Sequence, residues 1–241
     1  MSERIRARAI AVERALSARG KPARRHFLTS GYSPTSLRCL GVTVPDIRDV
    51  VRRHARELTA AGPREILDLA LTLAARRTME GRQVGYELVA RRRDAMALLD
   101  ARTLKRLGTG NDNWASVDGF AVFLVGPAWR MGNVADAEVS RWARSRDRWW
   151  RRTALAASVA LNTAARGGTG DARRTLLVCE ANAADADPMI ARALSWALRS
   201  LVPHDPSAVR AFLDRHGDRV PALVRREVAT KIRTGRKTVK S

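Results

Sequence analysis

Trp114 and Asp118 stand four residues apart in the stretch NDNWASVDGF, a spacing that puts both side chains on one face of an α-helix. Ala121, Val122 and Val125 continue that face, so the carboxylate has apolar neighbours on its own side. An ionised carboxylate there needs a cation nearby, which pairing with an arginine would supply; capping the next helix is the other structural use. Arg152 is the candidate partner. In DRWWRRTALAASVAL it falls between Trp149, Leu155, Ala156 and Val159 on the helical wheel, where it either answers the carboxylate or snorkels along a helix seam. Arg148, one turn earlier, extends the same positive surface. A third position of interest is Trp196 in MIARALSWALRSL, opposite a core stripe of Ile190, Leu194, Ala197 and Leu201 and flanked by Arg192 and Arg199. A tryptophan between arginines can stack on a sugar or base while the cations hold phosphates; cover by a neighbouring helix is the structural alternative.

The charge balance gives those arginines a context. The 241-residue chain has 45 Lys plus Arg against 24 Asp plus Glu, a formal net charge of +21, and only five of the cations are lysines. A genome rich in Arg and Ala codons would explain the preference for arginine but not the surplus. Such a chain is expected to bind a polyanion, with affinity that falls as salt rises. Cys39 and Cys179 have no His or Cys at metal-ligand spacing, so no metal site, no cofactor and no disulfide framework are expected. The N-terminal MSERIRARAIAVERALSARG is charged and helix-patterned rather than signal-like, and no run reaches the length of a membrane span. A cytoplasmic protein, held at the nucleoid through DNA, is expected, with no membrane partner.

The elements that must position these residues are helices. VPDIRDVVRRHAREL sets Ile47, Val50, Val51, His54 and Leu58 on one stripe behind Pro45. Similar periods run through PREILDLALTLAARR, GRQVGYELVARRR, Asn111 to Val125, RWWRRTALAASVALN, ARRTLLVCEANA, PMIARALSWALRSL, PSAVRAFLDRHG and PALVRREVATKIR. No strand alternation competes with them. The breaks are short and carry Gly, Pro, Asp or Asn, as in GTGND, GGTGD, ADADP and PHDP, which predicts antiparallel hairpins. No fixed-period repeat is visible, but stacked hairpins give an all-α, HEAT-like helical repeat solenoid with a concave basic face; a compact multi-helix bundle is the structural alternative. Residues 1–235 are expected to form that single domain, with 236–241 a basic frayed tail.

Together with GYSPTSLRCLGVTVPDIR, the ordered set LGVTVPDIR, NWASVD, WWRRTAL and ALSWALR resembles the AlkD-like DNA alkylation repair proteins, HEAT-like repeat DNA glycosylases. The likeness runs from about Tyr32 to the last helix. It implies that Trp114, Asp118 and Trp196 line a concave surface around a damaged nucleotide and that Arg152 lies near the active site. It further implies that Arg199 holds the backbone and that Tyr32, Thr43 and Val44 contact DNA. Val44 stands where the family has a small polar residue, and Ala115 replaces an acidic one. The implied activity is hydrolysis of the N-glycosidic bond of N3- or N7-alkylated purines in double-stranded DNA by a monomeric, monofunctional enzyme. Such a base is already cationic and leaves without a general acid, so the carboxylate's part is to stabilise an oxocarbenium-like deoxyribose. The rival reading is a non-catalytic helical-repeat protein that binds distorted or branched DNA.

Overall fold

The computed structural model describes residues 2–237; Thr238, Val239, Lys240 and Ser241, most of the expected basic tail, lie outside the described residues. Among the described residues every regular element is helical, and the only β-type pairing is an isolated bridge between Arg38 and Thr78. The all-α helical-repeat class is therefore what the chain adopts. It divides into two compact units, one ending at Leu124 and the other starting at Val125.

The first unit holds α1 (Glu3–Ser17), α2 (Pro22–Phe27), α3 (Val44–Glu57), α4 (Pro63–Ala75), α5 (Met79–Ala90), α6 (Arg93–Met96), α7 (Ala101–Gly108) and α8 (Trp114–Phe120). Its helices lie in two rows: α1 packs on α4 and α4 on α7, while α3 packs on α5 and α5 on α8. The α1–α3 and α4–α5 contacts join the rows. The predicted stripe on α3 is the reason that row closes, since Ile47, Val50, Val51, His54 and Leu58 are all buried. Burial lowers the pKa of His54, although Glu57, 2.9 Å from its Nδ1, pulls the other way. Cys39 is buried and free, and burial with the nearby Glu80 charge pushes its thiol up to about 11.

The second unit holds α9 (Gly126–Arg130), α10 (Asp136–Ala143), α11 (Arg148–Leu161), α12 (Ala172–Glu180), α13 (Pro188–Leu201), α14 (Pro206–His216) and α15 (Ala222–Thr234). Here α11 packs on α13 and α13 on α15, with α10 on α12 in the second row. Ten consecutive residues of α11, Arg152 to Leu161, are buried, as expected of a helix that is apolar nearly all round. Ile190, Leu194, Ala197 and Leu201 of α13 are fully enclosed.

Asp136 of α10 ties that helix to α9 and α12. Its Oδ1 accepts from Trp129 Nε1 at 2.7 Å and Arg174 Nε at 2.8 Å, and its Oδ2 from Arg173 Nη2 at 2.6 Å. Burial pushes this carboxyl up, but those hydrogen bonds outweigh it and hold the pKa at about 2. A depressed carboxylate contributes stability that is present above its unfolded pKa, about 3.9, and lost as pH falls toward the folded value. Asp136→Asn is therefore expected to cost about 2 kcal/mol at neutral pH, with the gap to the parent narrowing as pH falls from 4 toward 2. Urea midpoints at the two ends of that window check it, and a gap independent of pH would contradict the assignment.

Candidate nucleic-acid site

The N-terminus of α8 is built from the segment that carries Trp114. Asn113 is buried and caps the helix, its side-chain oxygen accepting from Ser116 N at 2.9 Å. The same oxygen accepts from the Ser33 hydroxyl at 3.3 Å, and its amide nitrogen donates to Thr35 Oγ1 at 3.1 Å. Asp112 accepts from Ser36 N at 2.6 Å and from the Thr35 hydroxyl. Partial burial pushes Asp112 up, but the bonds from Ser36 and Thr35 hold its carboxyl below the usual range. These contacts strap residues 33–36 to the start of α8.

Trp114 and Tyr32 meet as a result. Trp114 Nε1 donates to the Tyr32 carbonyl at 2.8 Å, and the two rings stand edge to face with centroids 5.1 Å apart. Trp114 and Asp118 are each half-buried on α8, so Asp118 is more open than its apolar neighbours suggested. Beyond it the expected single helix changes register: Ala121–Val125 forms a π-helical turn, a feature that recurs near functional sites.

The entry to α3 is held from below. Glu80, buried in the first turn of α5, accepts from the amides of Leu40 at 3.0 Å, Gly41 at 2.8 Å and Val42 at 3.2 Å. Gly41 has φ +78°, and a Cβ there would lie 2.5 Å from Lys21 O, so only glycine fits. Thr43 then caps α3: its hydroxyl accepts from Asp46 N at 3.4 Å and donates to Asp46 Oδ2 at 2.5 Å. Its side chain thus serves the helix. Val44 is exposed and shares an apolar recess with Leu28, Met79, Ala115 and Gly119. The first unit therefore brings Tyr32, Val44 and the α8 face together.

In the second unit the arginines differ in availability. Arg148 is exposed, 3.3 Å from Asp187, and Arg192 is exposed. Arg152 is buried and donates from Nη1 to Met189 O at 2.5 Å, which ties α11 to the start of α13. Arg199 is half-buried, donating to Ser195 Oγ at 3.1 Å and lying 3.4 Å from Glu227. Burial lowers its pKa and the Glu227 charge opposes that. Trp196 is half-buried rather than exposed, and of its two flanking cations only Arg192 faces outward freely.

The residues that position the site, Glu80, Asp112 and Asn113, were not singled out by spacing. Asn113 with Ser116 three residues on was a legible cap; nothing local marked Glu80. Among the described residues, no three His, Cys, Asp or Glu side chains cluster as a metal site, and no helix is long and apolar enough to cross a membrane.

A sequence model of the family described as DNA alkylation repair enzyme matches residues 12–232. No curated protein matches the chain.

Proposed function

The chain belongs to the DNA alkylation repair enzyme family, and on that premise we propose that it is a monofunctional DNA glycosylase. It acts as a monomeric HEAT-like scaffold on cationic N3- or N7-alkylated purines in duplex DNA. The observation that carries the reading is the half-buried carboxylate of Asp118, one helical turn after an indole fixed by a backbone carbonyl, on a chain of net charge +21.

In the reaction the C1′–N bond breaks with its electron pair going to the purine, which leaves neutral. Positive charge is left on the deoxyribose. Asp118 stabilises that charge and orients a water whose oxygen bonds to C1′, the displaced proton passing to solvent. Trp114, one turn before Asp118, offers its π-face to the cation, and Trp196 is proposed, from the family likeness, as a further aromatic contact to DNA. No lysine is assigned as nucleophile, so the strand stays intact at the abasic product. Purified protein is expected to release 7-methylguanine from methylated duplex DNA, with strand breaks appearing only after alkali. Tight binding without release would return the non-catalytic reading to first place.

Phosphate contacts by the arginines of the second unit give a separate expectation. Each neutralised phosphate contributes about −0.9 to the slope of log affinity against log salt. Arg148→Ala and Arg192→Ala, both at exposed positions, should each make the slope shallower by roughly that amount. A titration of affinity against salt that gives parallel lines for parent and variants removes these residues from the interface. Arg152, buried with Nη1 on the Met189 carbonyl, keeps its proposed part on the DNA side as well: Arg152→Ala is expected to lower both affinity and rate.

A further inference from the structure

Phe27 and Tyr32 are the two most exposed large hydrophobic side chains among the described residues, at 54 % and 52 %. They are adjacent. Their rings stack with centroids 4.9 Å apart and an interplanar angle of 29°, and Tyr32 in turn meets the Trp114 ring. Phe27 closes α2, and the π-helical segment Leu28–Tyr32 that follows is broken at Gly31, with φ +145°, which turns Tyr32 back toward α8. A fold does not need an open aromatic pair at the end of a six-residue helix that buries none of its own residues, and large exposed apolar groups mark binding sites.

The charge of the segment that carries the pair selects the partner. No Asp or Glu occurs between Glu13 and Asp46; Arg19 and Arg38 pair with Asp49 and Glu13, and Arg24 donates to the Val42 carbonyl, while Arg14, Lys21 and Arg25 stand exposed. A second copy of so basic a segment would be repelled, whereas a nucleic-acid strand supplies both phosphates for the cations and flat π-faces for the rings. Trp114, the third member of the ladder, is the residue assigned above to the sugar. We propose that Phe27 and Tyr32 form a stacking platform for an unpaired nucleobase of distorted duplex DNA. This goes beyond the glycosylase reading and rests only on its premise that DNA is the partner.

Two duplexes of one sequence, with and without a single bulged adenine, test the platform by fluorescence anisotropy. Stacking of one base on an aromatic side chain is worth about 1–3 kcal/mol by alanine substitution, at least about fivefold in Kd. Phe27→Ala should weaken binding of the bulged duplex by that factor and leave the fully paired duplex unchanged, Tyr32→Ala should weaken the bulged duplex by at least that factor more than the paired one, and Phe27→Trp and Tyr32→Phe retain parental affinity. The Trp114 hydrogen bond goes to the Tyr32 backbone, so Tyr32→Ala keeps it and an unchanged melting temperature is expected. Equal losses on both duplexes, or no loss on either, overturn the proposal. So does a concentration-dependent dimer that Phe27→Ala abolishes without affecting the bulged duplex, which would assign the patch to a second copy. Release of 7-methylguanine by Phe27→Ala separates the two readings: excision with no bulge preference rejects the platform alone, and bulge preference with no excision in the parent rejects the glycosylase alone.

Discussion

Asp118→Asn is expected to lower single-turnover excision by about two orders of magnitude or more while the protein stays folded and binds duplex DNA as tightly as the parent or tighter. The magnitude follows from electrostatics. A carboxylate about 4 Å from a unit positive charge contributes on the order of 4 kcal/mol at an effective dielectric near 20, roughly a thousandfold in rate if the interaction exists only in the transition state. Asparagine keeps the shape and loses that charge. Affinity should not fall, because an anion is being removed from a surface that meets phosphates. The structural alternative predicts something else: a carboxylate kept only to pair with an arginine would, once neutralised, leave a charge unanswered and cost about 3–5 kcal/mol if the pair were buried. Asp118 is half-buried, so screening already argues for a smaller folding cost. Melting temperature, duplex affinity and 7-methylguanine release on one preparation separate the cases. A folded variant that binds DNA and excises at the parental rate would remove Asp118 from the chemistry.

What sequence periodicity could reach is set by length and amphipathicity. The long helices α3, α11 and α13 were legible because apolar residues repeat over several turns; α3 buries the stripe it names, α13 buries its stripe together with Ala191, Ala193, Ser195 and Leu198, and α11 is buried nearly all round. Helices α7 and α10, of eight residues each, were not among the predicted segments. Two turns carry too few apolar positions to establish a period, and packing rather than propensity makes them helical. The stretch from Asn111 to Val125 looked like one helix because nothing inside it breaks a 3.6-residue period. The cause of its π-helical end lies just beyond, at Pro127, which has no N–H to give to the carbonyl four residues back. Trp196 was placed on the outward face from its own helix alone, and a helical wheel does not register the side chains that half-cover it. The aromatic contact of Tyr32 with Trp114 links residues 82 positions apart, a distance at which only the fold, not spacing, brings groups together.

Glu80→Ala carries the largest expected effect on the scaffold itself. Its carboxylate is the acceptor for three consecutive buried amides, at Leu40, Gly41 and Val42. Each buried donor left without a partner costs about 1–3 kcal/mol, and water cannot replace an acceptor that is only 4 % exposed. A total of roughly 3–5 kcal/mol is expected, at the upper end for a single substitution. The consequence reaches the DNA side because this turn runs directly into Thr43 and Val44 at the start of α3. With the amides released, the turn is left to the Lys21 amide on the Gly41 carbonyl and Arg24 Nε on the Val42 carbonyl, and the α3 cap is expected to shift with it. Urea unfolding should show the loss, and duplex affinity measured well below the melting temperature should fall even where the protein is still folded. Glu80→Gln keeps one acceptor oxygen in the same place but turns an amide NH2 toward the Leu40 amide, so its cost should be intermediate between parent and alanine. An alanine variant within about 1 kcal/mol of the parent would show that the turn is fixed by its own backbone and by the Arg38–Thr78 bridge, with Glu80 incidental to both stability and the entry to α3.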